Sequence, residues 1–156
     1  MRAKVKTVIT YGTFDMFHIG HLRLLQRMRE LGEQVIVAVS TDEFNVIKGK
    51  KSLLPYEERR EIVEALRCVD LVIPEESWEQ KVADITKHSV DTFVMGSDWS
   101  GHFDYLRELC EVIYLERTHG VSSTELRESL GRLLSSEYGV EEIHLLLKAL
   151  LGDLDR

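Results

Sequence analysis

The sequence predicts an α/β protein with a five-stranded parallel sheet covered by helices on both faces. Two observations carry this. Five short, apolar, β-branched runs punctuate the first 115 residues, and segments of helical periodicity separate them. Strands that alternate with helices pair in parallel, since each crossover brings the chain back to run in the same direction. A third observation concerns placement: polar and cationic residues gather directly after the runs, at the carboxyl ends of the strands, where such sheets bind ligands.

The elements follow in order. VKTVITY (5–11) is the first strand and leads into GTFDMFHIGH. IGHLRLLQRMRELG (19–32) sets Leu22, Leu25, Met28 and Leu31 near one helical face and ends at Gly32, a C′ residue. QVIVAVS (34–40) is the second strand, followed by TDEFNVIKGKK. PYEERREIVEALRCV (55–69) starts a helix at Pro55, with acids in the first turns. DLVIP (70–74) is the third strand. SWEQKVADITKHS (77–89) is a helix opened by Ser77 and Gln80 in capping-box spacing. DTFVMG (91–96) and CEVIYL (110–115) complete the sheet, with a short helix expected over GHFDYLREL (101–109) between them. SSTELRESLGRLL (122–134) is a last helix, with Ser122 and Glu125 as another capping box. The expected architecture is Rossmann-like over residues 1–134. A C-terminal helical extension occupies 135–156, where Ile143, Leu146, Leu147, Leu150, Leu151 and Leu154 form an apolar stripe for docking on the domain or on a dimer partner.

Composition bounds the function. The 156 residues suit one sizeable core, and 44% hydrophobic with 30% charged residues is globular. A net charge of -7 argues against nucleic acid as a partner, although local clusters of Lys, Arg and His still suit a small anion. Two cysteines, Cys68 and Cys110, make no disulfide framework. The N-terminal apolar run is short for a signal peptide, and no window suits a membrane span. The expected location is the cytoplasm.

The chemistry centres on His18 and His21, three residues apart on one face of the first turn of a helix. A helix start offers backbone N–H donors and positive dipole character, which suit phosphate. Gly20 lets a ligand approach closely, and Gly12 allows a sharp turn off the strand. Paired imidazoles at such an end make a triphosphate site. A zinc site is disfavoured, because no third ligand accompanies the pair.

GTFDMFHIGH resembles the GTFDxxHxGH signature of the cytidylyltransferases of the nucleotidyltransferase superfamily, and RTHGVSST (117–124) is similar to their RTxGIST signature. YGTFD, STDEFN, WEQK and VMGSDW extend the resemblance from about Val5 to Leu130, toward members acting on glycerol 3-phosphate. It departs at Ile19, where those members carry Trp, and at Val121 and Ser123 in the second signature.

The resemblance implies a nucleotidyltransferase fold and an enzyme that joins CMP from CTP to sn-glycerol 3-phosphate, giving CDP-glycerol for a surface polymer such as teichoic acid or capsule. Magnesium would arrive on the nucleotide phosphates, with no metal site of the protein's own, and the enzyme would be a homodimer. By resemblance, His18, His21, Lys50 and Arg117 are catalytic. Thr13, Phe14, Ile19, Gly20, Thr118, His119, Gly120, Val121, Ser122, Ser123 and Thr124 join them around CTP. Lys48, Lys81, Arg67, Asp70 and Asp98 are assigned to the acceptor. Asp15 either organises the first loop or assists magnesium, and Asp42 is either acceptor-side or structural. Two rivals stay open: the same chemistry on another phosphoalcohol or with ATP, and a non-catalytic nucleotide-binding module.

Overall fold

The computed structural model of the chain describes residues 5–136, with side chains to 133. Five strands form one sheet: β1 (Thr7–Gly12), β2 (Gln34–Ser40), β3 (Leu71–Glu75), β4 (Thr92–Gly96) and β5 (Glu111–Leu115). All pairings are parallel and the order is β3-β2-β1-β4-β5. β1 is therefore central, and the chain reverses its direction of winding beside it. That is the switch point at which a crevice opens at the carboxyl ends.

Strand alternation divides the core. Val8, Val35, Val37 and Val39 point to one face, where they pack with Leu25 and Met28 of α1 (Ile19–Leu31) and Val63 of α3 (Tyr56–Glu64). Ile9, Tyr11, Ile36 and Ala38 point to the other, with Ile85 of α4 (Gln80–Lys87), Phe93, Phe103 and Leu106. Burial on both faces is why these strands read as unbroken apolar runs. Each fully buried Leu, Ile, Val or Phe contributes about 1.5–3 kcal/mol.

The departures from expectation have local causes. TDEFNVI, read as loop, contains a short helix α2 (Asp42–Ile47), which the Thr41 hydroxyl caps by accepting the Phe44 N–H. The helix expected over 101–109 is replaced by 3-10 turns at Ser97–Trp99 and Asp104–Glu108. α4 begins at Gln80 rather than Ser77, yet the capping pair is made: the Gln80 N–H donates to Ser77 Oγ, and Gln80 Oε1 accepts the Ser77 N–H.

Gly32 ends α1 with extended backbone (φ -163°), not the left-handed turn usual at C′. Its glycine is needed for proximity. A Cβ there would lie 2.3 Å from Val8 Cγ2 and 2.7 Å from the Lys6 carbonyl oxygen.

Residues 1–119 and 120–156 form two compact units. In the second, α5 (Ser123–Ser136) is capped by Ser122, whose Oγ accepts the Glu125 N–H. The apolar stripe expected over 143–154 lies outside the described residues. Cys68 and Cys110 are free thiols. Among the described residues, no helix is long and apolar enough to cross a membrane.

Candidate active site

The loop from β1 to α1 is built by two residues in the left-handed region, Phe14 (φ 52°) and Met16 (φ 48°). Such conformations cost on the order of 1 kcal/mol each and persist where surroundings enforce them. Phe14 is buried, and its ring lies over Gly12, where a Cβ would come within 2.9 Å of it. The ring also sits 5.3 Å from that of His21. The loop thus turns back beneath the start of α1 and supports the histidines from below.

His18 is the N-cap of α1, and the two histidines cap it reciprocally. His18 Nδ1 accepts the Gly20 N–H at 3.0 Å, and His21 Nδ1 accepts the His18 N–H at 3.4 Å. The rings stack with centroids 3.9 Å apart and planes 24° from parallel. An Nδ1 that accepts leaves the proton of a neutral imidazole on Nε2. Both rings therefore offer Nε2–H donors. Burial, with the neighbouring His18 ring adding to it and Asp15 opposing, lowers the His21 pKa to about 4. His21 is accordingly neutral at pH 7 and acts as a hydrogen-bond donor rather than a cation.

Asp15 is buried and organises loops. Its Oδ2 accepts the Leu53 N–H at 2.7 Å and its Oδ1 the Leu54 N–H at 3.0 Å, tying the segment after the basic stretch to the β1 loop. Arg59 of α3 binds the same parts together, and the sequence reading missed it. Its fully buried guanidinium donates to the carbonyls of Thr13 (2.6 Å), Ser40 (2.8 Å) and Leu54 (3.0 Å) and to Asp42 Oδ1 (2.7 Å). Burial alone would raise the Asp42 pKa. The Tyr56 N–H, the Arg59 guanidinium and the Ser52 hydroxyl outweigh it and hold the carboxyl below its ordinary value. The detectable signal was an arginine one turn before Val63 on the apolar face of an amphipathic helix. Asn45 was missed too. It is buried, its Oδ1 accepts the Thr13 hydroxyl at 3.0 Å, and its Nδ2 has no partner among the described residues.

Several residues assigned from sequence come to the same rim. Thr13, Phe14, His18, Ile19, Gly20 and His21 line the exit of β1, with Ile19 exposed. Arg117 and Asp98 follow β5 and β4 and are paired, Arg117 Nη1 to Asp98 Oδ2 at 2.8 Å. Arg27 of α1 donates to the Glu116 carbonyl at 2.8 Å and so fixes the residue before Arg117. Lys50 Nζ lies 6.0 Å from the centre of the Trp99 ring, which places the basic stretch over the strand ends. Thr118 and His119 follow Arg117. Gly120 has φ 75°, the left-handed conformation that favours glycine, and Val121, Ser122, Ser123 and Thr124 lead into α5 of the second unit.

The acceptor assignments divide. Lys48 reaches the ends of β2 and β3, where Nζ contacts Ser40 Oγ (2.6 Å) and Glu75 Oε2 (3.3 Å). Lys81 is enclosed rather than presented at the rim. It is 1% exposed and pairs with Glu75 Oε1 at 2.8 Å, because α4 turns it inward under the Tyr11, Trp78 and Phe103 rings. Asp70 sits at the opposite, amino-terminal end of the strands, where it accepts the Val35 N–H (2.7 Å) and pairs with Arg29 (2.6 Å). Val35 precedes Val39, the partner of Gly12, by four residues, or about 13 Å at ~3.3 Å per residue. Arg67 lies in the turn leading to Asp70. Within one chain, the structure does not bring these two to the histidines.

The family model described as "Cytidylyltransferase-like" matches residues 9–129. The chain is 57% identical over 126 residues to a glycerol-3-phosphate cytidylyltransferase of Staphylococcus aureus, covering 81% of this chain and 96% of the relative. It is 56% identical over 129 residues to the protein of that name from Bacillus spizizenii, covering 83% of this chain and all of the relative. Among solved structures it resembles a lipopolysaccharide core biosynthesis protein from Thermoplasma volcanium, with TM-score 0.63 and 20% identity over 74% of this chain and 98% of that one, a likeness of fold.

Proposed function

This chain belongs to the cytidylyltransferase-like family, and on that premise we propose that it transfers CMP from CTP to sn-glycerol 3-phosphate, releasing pyrophosphate and forming CDP-glycerol. The observation that carries the reaction type is the reciprocal histidine cap at the switch point, with Nε2–H donors on both rings. The acceptor rests on 56–57% identity to relatives named for glycerol 3-phosphate, matched over nearly their whole length.

The chemistry is a single in-line displacement. An oxygen of the acceptor phosphate forms a bond to the α-phosphorus of CTP, and the bond from that phosphorus to the bridging oxygen breaks. The electron pair leaves with pyrophosphate. No side chain forms a covalent intermediate, so positioning and charge stabilisation supply the catalysis. His18 and His21 donate to phosphoryl oxygens whose charge grows in the transition state, each contributing roughly 3 kcal/mol. Arg117 offers a planar guanidinium fork to the triphosphate, and exchanges Asp98 for it. Lys50 closes over the phosphates from the basic stretch, and Lys48 meets the acceptor phosphate. Ser122, Ser123 and Thr124, which match the second family signature, are proposed as further CTP contacts on that resemblance.

Among the described residues, no three His, Cys, Asp or Glu side chains converge on a possible metal site. Both histidine Nδ1 atoms are already engaged, and both Asp15 oxygens hold backbone amides. Magnesium is therefore proposed to be carried by the nucleotide phosphates, where it neutralises charge, with no ligand set of the protein's own. A homodimer is proposed on the apolar stripe of residues 143–154, and light scattering of the full chain tests it. A role for the product in teichoic acid or capsule synthesis is proposed on the chemistry of CDP-glycerol, an activated glycerol phosphate suited to building such polymers.

The test is a pyrophosphate-release assay crossing the four ribonucleoside triphosphates with several phosphoalcohols. Turnover confined to CTP with glycerol 3-phosphate is expected. Equal turnover with ATP, or preference for another acceptor, would replace this assignment.

A further inference from the structure

Glu75 ends β3 directly beside Ser40 at the end of β2 and is 2% exposed. Its carboxylate takes donors on both oxygens. Lys81 Nζ donates to Oε1 at 2.8 Å, while the Ser40 hydroxyl and Lys48 Nζ (3.3 Å) donate to Oε2. Lys48 Nζ also donates to Ser40 Oγ at 2.6 Å. The three charged side chains are between 1% and 7% exposed. One carboxylate and two ammonium groups leave one net positive charge in a nearly dry place. Aromatic faces absorb part of it: Phe44 lies 4.6 Å from Lys48 Nζ, and Tyr11 and Trp78 lie 4.4 and 5.0 Å from Lys81 Nζ. A buried surplus cation is unfavourable until an anion joins it.

The two lysines are not equivalent. Lys81 is sealed beneath rings and has Glu75 as its ionic partner. Lys48 caps α2 at the start of the stretch KGKK, next to the strand ends. We propose that Glu75 is a positioning residue: with Lys81 saturating one oxygen, its other oxygen and Ser40 fix the Lys48 ammonium at the rim, charged, to receive the acceptor phosphate. This rests on the reading of Lys48 as an acceptor contact.

The groups facing Lys48 are Ser40 from β2, Glu75 from β3, Lys81 from α4, Lys50 from its own loop, and the Phe44 and Trp78 rings. Burial lowers its pKa and Glu75 opposes that. A neutral amide in place of Glu75 removes the opposition, so Lys48 loses its proton at lower pH.

The test is steady-state kinetics with each substrate varied separately, on the wild type, Lys48→Met, Glu75→Gln and the double variant, alongside thermal unfolding. Glu75→Gln should raise the acceptor KM about 10-fold and leave the CTP KM within about twofold. The alkaline limb of kcat/KM for the acceptor should move to lower pH. In the Lys48→Met background the same change should have no further effect on the acceptor KM. An unmoved acceptor KM and alkaline limb in folded Glu75→Gln would overturn the proposal, as would equal rises for both substrates or an undiminished effect in the Lys48→Met background. An unchanged acceptor KM in Lys48→Met would overturn it as well. Wild type that ignores glycerol 3-phosphate would fail the proposed function instead, and the same comparison would run with whichever phosphoalcohol it uses. If Glu75→Gln does not fold, Ser40→Ala takes its place: a selective rise in the acceptor KM supports the proposal and an unchanged one overturns it.

Discussion

His18 and His21 cap the helix that carries them, each ring nitrogen Nδ1 accepting a backbone N–H of the same turn while the rings stack at 3.9 Å. One pair of side chains thereby has two roles, and substitution separates them. His18→Ala and His21→Ala should each lower kcat by roughly 10²-fold in pyrophosphate release. His18→Ala should also lose about 1 kcal/mol of stability with the cap. His18→Asn keeps a capping oxygen but has no Nε2, so it should recover the stability in calorimetry and not the rate. Recovery of both would make His18 a cap alone.

The lowered pKa of His21, about 4 against 6.5 unfolded, links pH to stability. The unfolded chain binds this proton more readily than the folded one. The stabilising contribution of neutral His21 is therefore complete above pH 6.5 and is lost as pH falls toward 4. The loss should reach on the order of 3 kcal/mol. Urea unfolding from pH 7.5 to 4 should show it in the wild type, and His21→Asn should give a flatter profile over that window. Parallel profiles would remove His21 as the cause.

Arg59 should be the costliest single position in the site region. Arg59→Met leaves Asp42 without its guanidinium and three carbonyls, that of Ser40 buried and those of Thr13 and Leu54 partly so, without their donor. A loss of about 3–5 kcal/mol is expected in urea denaturation. Arg59→Lys should rescue little of it, since one ammonium cannot span four acceptors in fixed directions.

Arg117 is half-exposed and holds a single carboxylate, so its substitution should be tolerated by the fold. Arg117→Lys should leave the melting temperature within about 2 °C while raising the CTP KM about 10-fold or more, because an ammonium does not reproduce a planar fork. Unchanged kinetics would detach Arg117 from the nucleotide.

Gly32→Ala should destabilise without touching chemistry. The new methyl meets Val8 Cγ2 and the fixed Lys6 carbonyl, so β1 and the end of α1 must separate. About 1–3 kcal/mol should be lost in thermal unfolding, with kcat per folded molecule retained. A neutral result would show that the backbone there yields easily.

The strand runs, four of the helices and the histidine turn were legible because their signals are local. Unbroken β-branched runs mark strands buried on both faces, capping spacings mark helix starts, and the imidazole pair lies within one turn. The 3-10 segment around Asp104 was misread as a helix because a short apolar pattern does not distinguish the two. The position of Asp70 at the amino-terminal end of the strands, away from the site, follows from strand direction and register, not from its neighbours in sequence.

The sequence by itself determined the alternation of strands and helices, the chemistry at the exit of β1 and the family resemblance that implied CTP. Only the tertiary structure decided that Arg59 ties Thr13, Ser40 and Asp42 together, that Lys81 is sealed under aromatic rings, and that Glu75 lies between two lysines. Those contacts join residues six to 46 positions apart across separate elements. The energy of a buried charge depends on what surrounds it in space, and a one-dimensional pattern carries no record of that.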